Sequence, residues 1–141
     1  MQWSDTYSVG IEEIDNQHKE LLRLFSIVEH AVQMKQGWST IHYGLIEVRA
    51  FAQFHFKFEE ALMRLYGFPD TVDHGQAHER ILKRTEVVER ASLQIDAEEK
   101  VMNFFRDWLI DHIQGADRGY AQYILAGAIL VPPRQADQGP G

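Results

Sequence analysis

The 141 residues carry 45% hydrophobic side chains, enough for one domain with a real core, and a net charge of −7 with no basic patch, which argues against nucleic acid as a partner. No apolar run comes near the ~18 residues of a membrane span and no basic-then-apolar leader opens the chain, so neither membrane insertion nor a signal peptide is expected. The absence of cysteine removes disulfides, thiolate metal sites and cysteine nucleophiles together, and it fits a cytoplasmic protein, which we expect to be a monomer.

The first eleven residues, MQWSDTYSVGI, read as an extended arm with Trp3 and Tyr7 available to pack on the helices. A helix is predicted over about 12–35, with Ile14, His18, Leu21, Phe25, Val28 and Val32 on one stripe. Gly37 divides it from a second helix over about 40–66, striped by Ile41, Leu45, Val48, Ala52, His55, Glu59 and Leu62. Gly67-Phe68-Pro69 ends that helix, and a third over about 71–91 carries His74, His78, Ile81, Thr85 and Val88. After a divide near Ser92–Ala97, a fourth over about 97–114 carries Val101, Phe105, Trp108 and His112. No stretch alternates with period two, and the connections are short. The expected fold is therefore all-α, an antiparallel up-down-up-down four-helix bundle with an extended N-terminal arm. Residues 1–130 form one domain in this reading, with 1–11 as its arm. VPPRQADQGPG at 131–141 is rich in proline and glycine and is expected to be a flexible tail.

Seven histidines are many for this length, and each stripe turns polar at one end. His18 stands near the start of the first helix, His55 and Glu59 near the finish of the second, His74 and His78 at the start of the third, and His112 at the finish of the fourth. In the expected topology those four ends coincide, and the six residues fall within roughly 6–16 Å of it at 1.5 Å rise per residue. An uncompensated buried carboxylate among imidazoles would cost more than a marginally stable domain can absorb, so bound cations are expected. Imidazole with carboxylate suits zinc, iron, copper or nickel, while the lack of thiolate disfavours a structural zinc. The ligand count suggests two ions. His74 and His78, four apart, can hold one jointly, and Glu59 can bridge to a second held by His55. The Glu-x-x-His pattern of ferritin-like carboxylate sites is absent. Glu60 points about 100° from Glu59 and is excluded as a ligand. His30 and His42 belong to the far end and are expected at the surface. Asp15 and Asp111 stand near ligand histidines as possible acceptors, with a solvated surface the preferred reading of both.

VGIEEIDNQHKEL at 9–21, HFKFEEALM at 55–63, HGQAH at 74–78 and WLIDHIQGAD at 108–117 together resemble the motifs of the hemerythrin family, and in particular its single-domain bacterial members, the bacteriohemerythrins. The resemblance spans roughly residues 3–125. It implies two non-haem iron ions bridged by an oxo or hydroxo group. His74, His78 and His112 would bind one iron, His18 and His55 the other, and Glu59 and Asp117 would bridge both. The second iron would keep one position open, where O₂ would bind end-on as a hydroperoxide, with Leu22, Phe25, Phe56 and Leu109 as the expected pocket wall. The implied function is reversible O₂ binding for storage, transport or delivery to an oxygen-consuming enzyme, without enzyme activity of its own. A sensor of O₂, redox state or nitric oxide is the alternative, as is a peroxidase-like di-iron enzyme. Family sensors are often fused to signalling domains, and no acid–base group is evident on the first two helices to serve an enzyme.

One spacing is irregular. In HIQGAD, Asp117 follows His112 by five residues, which on an ideal helix leaves it roughly 140° away. The fourth helix is therefore predicted to break or bulge around 113–116, with Gly115 supplying the distortion and Asp117 swung back over the bundle end.

Overall fold

The computed structural model describes residues 2–91 and 98–127. The predicted divide near 92–97 and the predicted tail at 131–141 lie outside the described residues. Five α-helices are described: α1 (Glu12–Gln33), α2 (Trp38–Leu65), α3 (Thr71–Ala91), α4 (Glu98–Asp111) and α5 (Arg118–Leu125), the last two joined by a π-helical turn over His112–Asp117. Among the described residues there is no strand, and no helix is long and apolar enough to cross a membrane. α1 packs on α2 and α2 on α3, while α4 touches both α1 and α3, which closes an up-down-up-down four-helix bundle.

The helix ends follow from local chemistry. α1 opens with Glu12, Glu13 and Asp15 in its first turn, where carboxylates complement the positive end of the helix dipole. It closes in a Schellman arrangement, Gln36 N–H bonding the Ala31 carbonyl at 3.0 Å and Lys35 N–H that of Val32 at 3.0 Å. The left-handed residue is Lys35, with φ 52°, while Gly37, where the sequence places the divide, is the N-cap of α2. α2 ends the same way. Phe68 N–H bonds the Met63 carbonyl at 2.9 Å, but here Gly67, with φ 64°, occupies the left-handed position just before Phe68-Pro69. The arm is extended except at Asp5–Tyr7, which wind one 3-10 turn. Trp3 and Tyr7 pack against the bundle core, as expected of them.

Two apolar clusters fill the interior. The larger joins Leu21, Leu22, Phe25 and Val28 of α1 to Ile41, Leu45, Val48, Ala52 and Phe56 of α2 and Met102, Phe105 and Leu109 of α4. The smaller gathers Val9, Ile14, Met63, Tyr120 and Ala121. The predicted stripes are shifted at their ends. Ala31 is buried where Val32 packs only partly, and Met63 where Leu62 does. On α4, Met102 and Leu109 are buried while Trp108 is half-buried. The side chains of Val88 and Val101 lie outside those described.

At HIQGAD the helix does not break but bulges, the second of the two predicted outcomes. It widens into the π-turn, and helix resumes directly as α5, an element missing from the sequence-based expectation. In an i→i+5 ladder the fifth residue stands where the fourth would in an α-helix, so Asp117 comes over His112. Gly115 is not the cause. Its φ lies outside the left-handed range, and a Cβ built on it meets no atom within 4 Å. Thermal unfolding of two variants checks these assignments. Gly115→Ala should be neutral or stabilising by up to about 1 kcal/mol; a marked loss would mean that the π-turn needs glycine. Lys35→Gly should stabilise by about 1 kcal/mol by relieving the left-handed strain.

Candidate metal centre

Between the two apolar clusters lies a slab of buried polar side chains. His18 comes from α1, His55 and Glu59 from α2, His74 and His78 from α3, and His112 and Asp117 from the two ends of the π-turn. Along α1, His18 falls between Ile14 of the smaller cluster and Leu21 of the larger. Along α2, Glu59 falls between Phe56 and Met63, and along the last helix Asp117 falls between Ile113 and Tyr120. The centre is closed above and below by hydrocarbon.

All five imidazoles turn their Nε2 atoms inward, and the two carboxylates divide them into sets. Glu59 Oε1 lies 2.8 Å from His55 Nε2 and 3.8 Å from His18 Nε2. Its other oxygen, Oε2, lies 3.1 Å from His78 Nε2, 3.7 Å from His112 Nε2 and 3.9 Å from His74 Nε2. Asp117 repeats the division: Oδ2 is 2.8 Å from His18 and 3.7 Å from His55, while Oδ1 is 2.8 Å from His112 and 3.5 Å from His74. Two overlapping groups result, Glu59, His74, His78, His112 and Asp117 in one and His18, His55, Glu59 and Asp117 in the other, with the donor atoms of each within 4.8 Å of one another.

The donor set fits cations better than protons. His74, His78 and His112 Nε2, Glu59 Oε2 and Asp117 Oδ1 are all buried without a hydrogen-bond partner. His112 Nε2 and Asp117 Oδ1, 2.8 Å apart, are the closest pair among these five atoms. Each such atom left uncompensated costs about 1–3 kcal/mol, and a cation at the convergence compensates all five.

In the metal-free chain the same proximity perturbs the titrations. Burial alone would lower the His55 imidazole, but the Glu59 and Asp117 carboxylates outweigh it and raise the group from 6.5 to about 9. His112 likewise rises to about 10, with Asp117 the stronger carboxylate neighbour. Burial pushes both carboxyls up, yet the surrounding imidazoles hold Glu59 and Asp117 well below the usual carboxylate range. His78 is lowered, mainly by burial.

A family model for the hemerythrin HHE cation binding domain matches residues 9–124. This chain belongs to the hemerythrin family. It is 30% identical over 125 residues to the bacteriohemerythrin of Stenotrophomonas maltophilia, covering 88% of this chain and 81% of that protein. The Clostridium acetobutylicum bacteriohemerythrin is 25% identical over 127 residues, with 84% and 96% covered. A hemerythrin-like protein of Naegleria gruberi is 29% identical over 118 residues, with 84% and 88% covered. The chain is accordingly a hemerythrin-family iron-binding protein whose buried His/Glu/Asp cluster is able to bind metal.

Other residues singled out in the sequence fall outside this cluster. Asp15 does not serve a ligand imidazole. It accepts hydrogen bonds from the Ser8 hydroxyl at 2.5 Å and the Val9 N–H at 2.8 Å, tying the arm to α1. Asp111 is exposed, and His42 stacks on Trp38 at 4.8 Å, at the opposite end of α2 from His55. The sequence-based expectation puts Phe56 in the wall beside the open iron position. Its ring stacks face-to-face on His78 at 4.0 Å and also meets His112 at 5.3 Å and His55 at 5.9 Å, so it touches both histidine sets. Trp108 lies parallel to the His112 ring at 5.8 Å. Two supporting residues are not evident from the sequence. His55 Nδ1 donates to Gln17 Oε1 at 2.7 Å, which fixes the tautomer that leaves Nε2 free for a cation. Tyr120 donates its hydroxyl to Glu59 Oε1 at 3.0 Å. Gln17 adjoins His18 and carries no periodic signal. Tyr120 stands three residues past Asp117, a place that gains meaning only once the helix continues.

The titrations predict an unusual pH profile for the metal-free protein. The raised imidazoles contribute stability that is fully present below 6.5 and is lost as pH rises through 9–10. The lowered carboxyls contribute stability present above about 4.5 and lost on acidification. Thermal midpoints of metal-free protein should therefore be highest between about pH 4.5 and 6.5 and should fall toward pH 10. Saturating ferrous iron should remove the alkaline decline, since metal binding requires deprotonated imidazoles.

Proposed function

We propose that this chain holds two non-haem iron ions in the slab and binds O₂ reversibly, as a cytoplasmic carrier, store or donor to an oxygen-consuming enzyme. The observation that carries the reading is the division of each carboxylate, one oxygen toward three imidazoles and the other toward two. His74, His78 and His112 would hold one ion and His18 and His55 the other, with Glu59 and Asp117 shared. Iron held as such a pair, with an oxo or hydroxo group between the ions, supplies the reversible two-electron chemistry that O₂ uptake needs.

The protein's own residues set the asymmetry. The set of three imidazoles and two carboxylate oxygens nearly fills an octahedral shell, while the set of two and two leaves room for a ligand. His18, His55, Glu59 and Asp117 are all fully buried, so a ligand bound on that side would be surrounded by protein and not by solvent. Leu21 and Leu22, one helical turn from His18, and Leu109, one turn before His112, are buried and keep the surroundings dry. A dry surround slows proton delivery and so slows loss of bound oxygen as peroxide. Gln17 holds His55 with its lone pair inward. These roles support a binding function.

Anaerobic reconstitution with ferrous iron tests the reading. We expect two irons per chain and a visible charge-transfer band that appears on admitting O₂ and reverses on its removal over several cycles. Immediate, irreversible oxidation would overturn the carrier function, and one zinc per chain in purified protein would overturn the di-iron site. Glu59→Ala should lose iron and stability together, and retention of full iron in that variant would remove Glu59 from the ligand set.

A further inference from the structure

Tyr120 lies against the centre yet has no place among the proposed ligands. It is fully buried on α5 among Val9, Ile14, Met63 and Ala121, and its ring meets His74 edge-on at 5.5 Å. Its hydroxyl donates to one particular oxygen. Glu59 Oε1 is the atom that faces His18 and His55, whereas Oε2, facing the three-histidine set, accepts no hydrogen bond. The phenol is therefore directed to the side that already has fewer imidazoles. A carboxylate oxygen that accepts a hydrogen bond donates less of its charge to a neighbouring cation, and the ion it serves is then harder to oxidise.

The location follows from the fold. The π-turn that carries Asp117 over His112 continues as α5, and three residues later Tyr120 comes to Glu59 from the same helix face. The apolar cluster around its ring leaves Glu59 Oε1 as the hydroxyl's hydrogen-bond acceptor.

We propose that Tyr120 is a positioning residue that fixes Glu59 in its shared orientation and, by drawing charge from Oε1, protects the ion on the His18/His55 side against autoxidation. The inference rests on the di-iron reading above. Autoxidation here means transfer of two electrons, one from each ferrous ion, to O₂, which takes two protons from solvent and leaves as hydrogen peroxide while both ions become ferric.

The test compares wild type with Tyr120→Phe, which keeps the ring and removes only the hydroxyl. Both are loaded anaerobically with ferrous iron, and iron per chain, helical content, midpoint potential and the rate of autoxidation in air are measured. We expect equal iron and helix content, a more negative midpoint potential in the variant, a shifted ferric charge-transfer band, and autoxidation about tenfold faster, the change expected when a charge-assisted hydrogen bond acts on one redox state more than the other. Equal rates and potentials would reduce Tyr120 to a space-filling residue and overturn the inference alone. A variant that unfolds would overturn it by making the hydroxyl a structural prop, and one that folds but releases iron would overturn the protective role while leaving Tyr120 as the residue that positions Glu59. A wild-type chain that fails to take up two irons overturns the di-iron reading itself and the inference with it.

Discussion

Two buried carboxylates surrounded by five imidazoles are the constraint on which the rest of this structure depends. Neither Glu59 nor Asp117 has any contact with solvent, and each is divided between two sets of Nε2 atoms. Carboxylates and imidazoles are costly to place in hydrocarbon and are tolerated only together with each other and with a cation. All four helices of the bundle must therefore deliver their polar residues to one height. The apolar clusters above and below then do two things at once, providing the bulk of the folding energy and drying the slab between them.

The π-turn makes this convergence possible on the last helix. An α-helical His112–Asp117 segment would aim the acid away from the histidine; the wider turn restores the alignment without interrupting the helix. Because helix continues, α5 brings Tyr120 and Ala121 into the smaller cluster with Val9, Ile14 and Met63. The end of the bundle is thereby sealed with side chains from the arm, α1, α2 and α5. Asp15 contributes by pinning the arm, which places Val9 over that end.

The two halves of the centre are supported differently. The three-histidine side is braced by aromatic faces, Phe56 on His78 and Trp108 on His112. The two-histidine side is braced by hydrogen bonds, Gln17 to His55 and Tyr120 to Glu59. Stacking holds a ring in place with little effect on its basicity, whereas a hydrogen bond also alters how much charge a ligand donates. The chain thus directs its polar contacts to the side with fewer imidazoles.

By itself the sequence determined the class of fold and the level at which polar residues gather. Both depend on periodicity and helix punctuation, which are local: the stripes through His18, His55, Glu59, His74, His78 and His112 can be read from spacing alone, and with short connections they lead to the bundle. The irregular spacing of HIQGAD also marked where the helix must distort. Tertiary structure decided how it distorts, since a widened turn and a broken one satisfy the same local sequence and differ only in whether α5 has an apolar surface to cover. It decided the partners of Gln17, Tyr120, Asp15 and Phe56 as well, because which side of a ligand a neighbour touches depends on the rotation of one helix against another. Periodicity fixes the face of a residue on its own helix. Only the packed bundle fixes what that face meets.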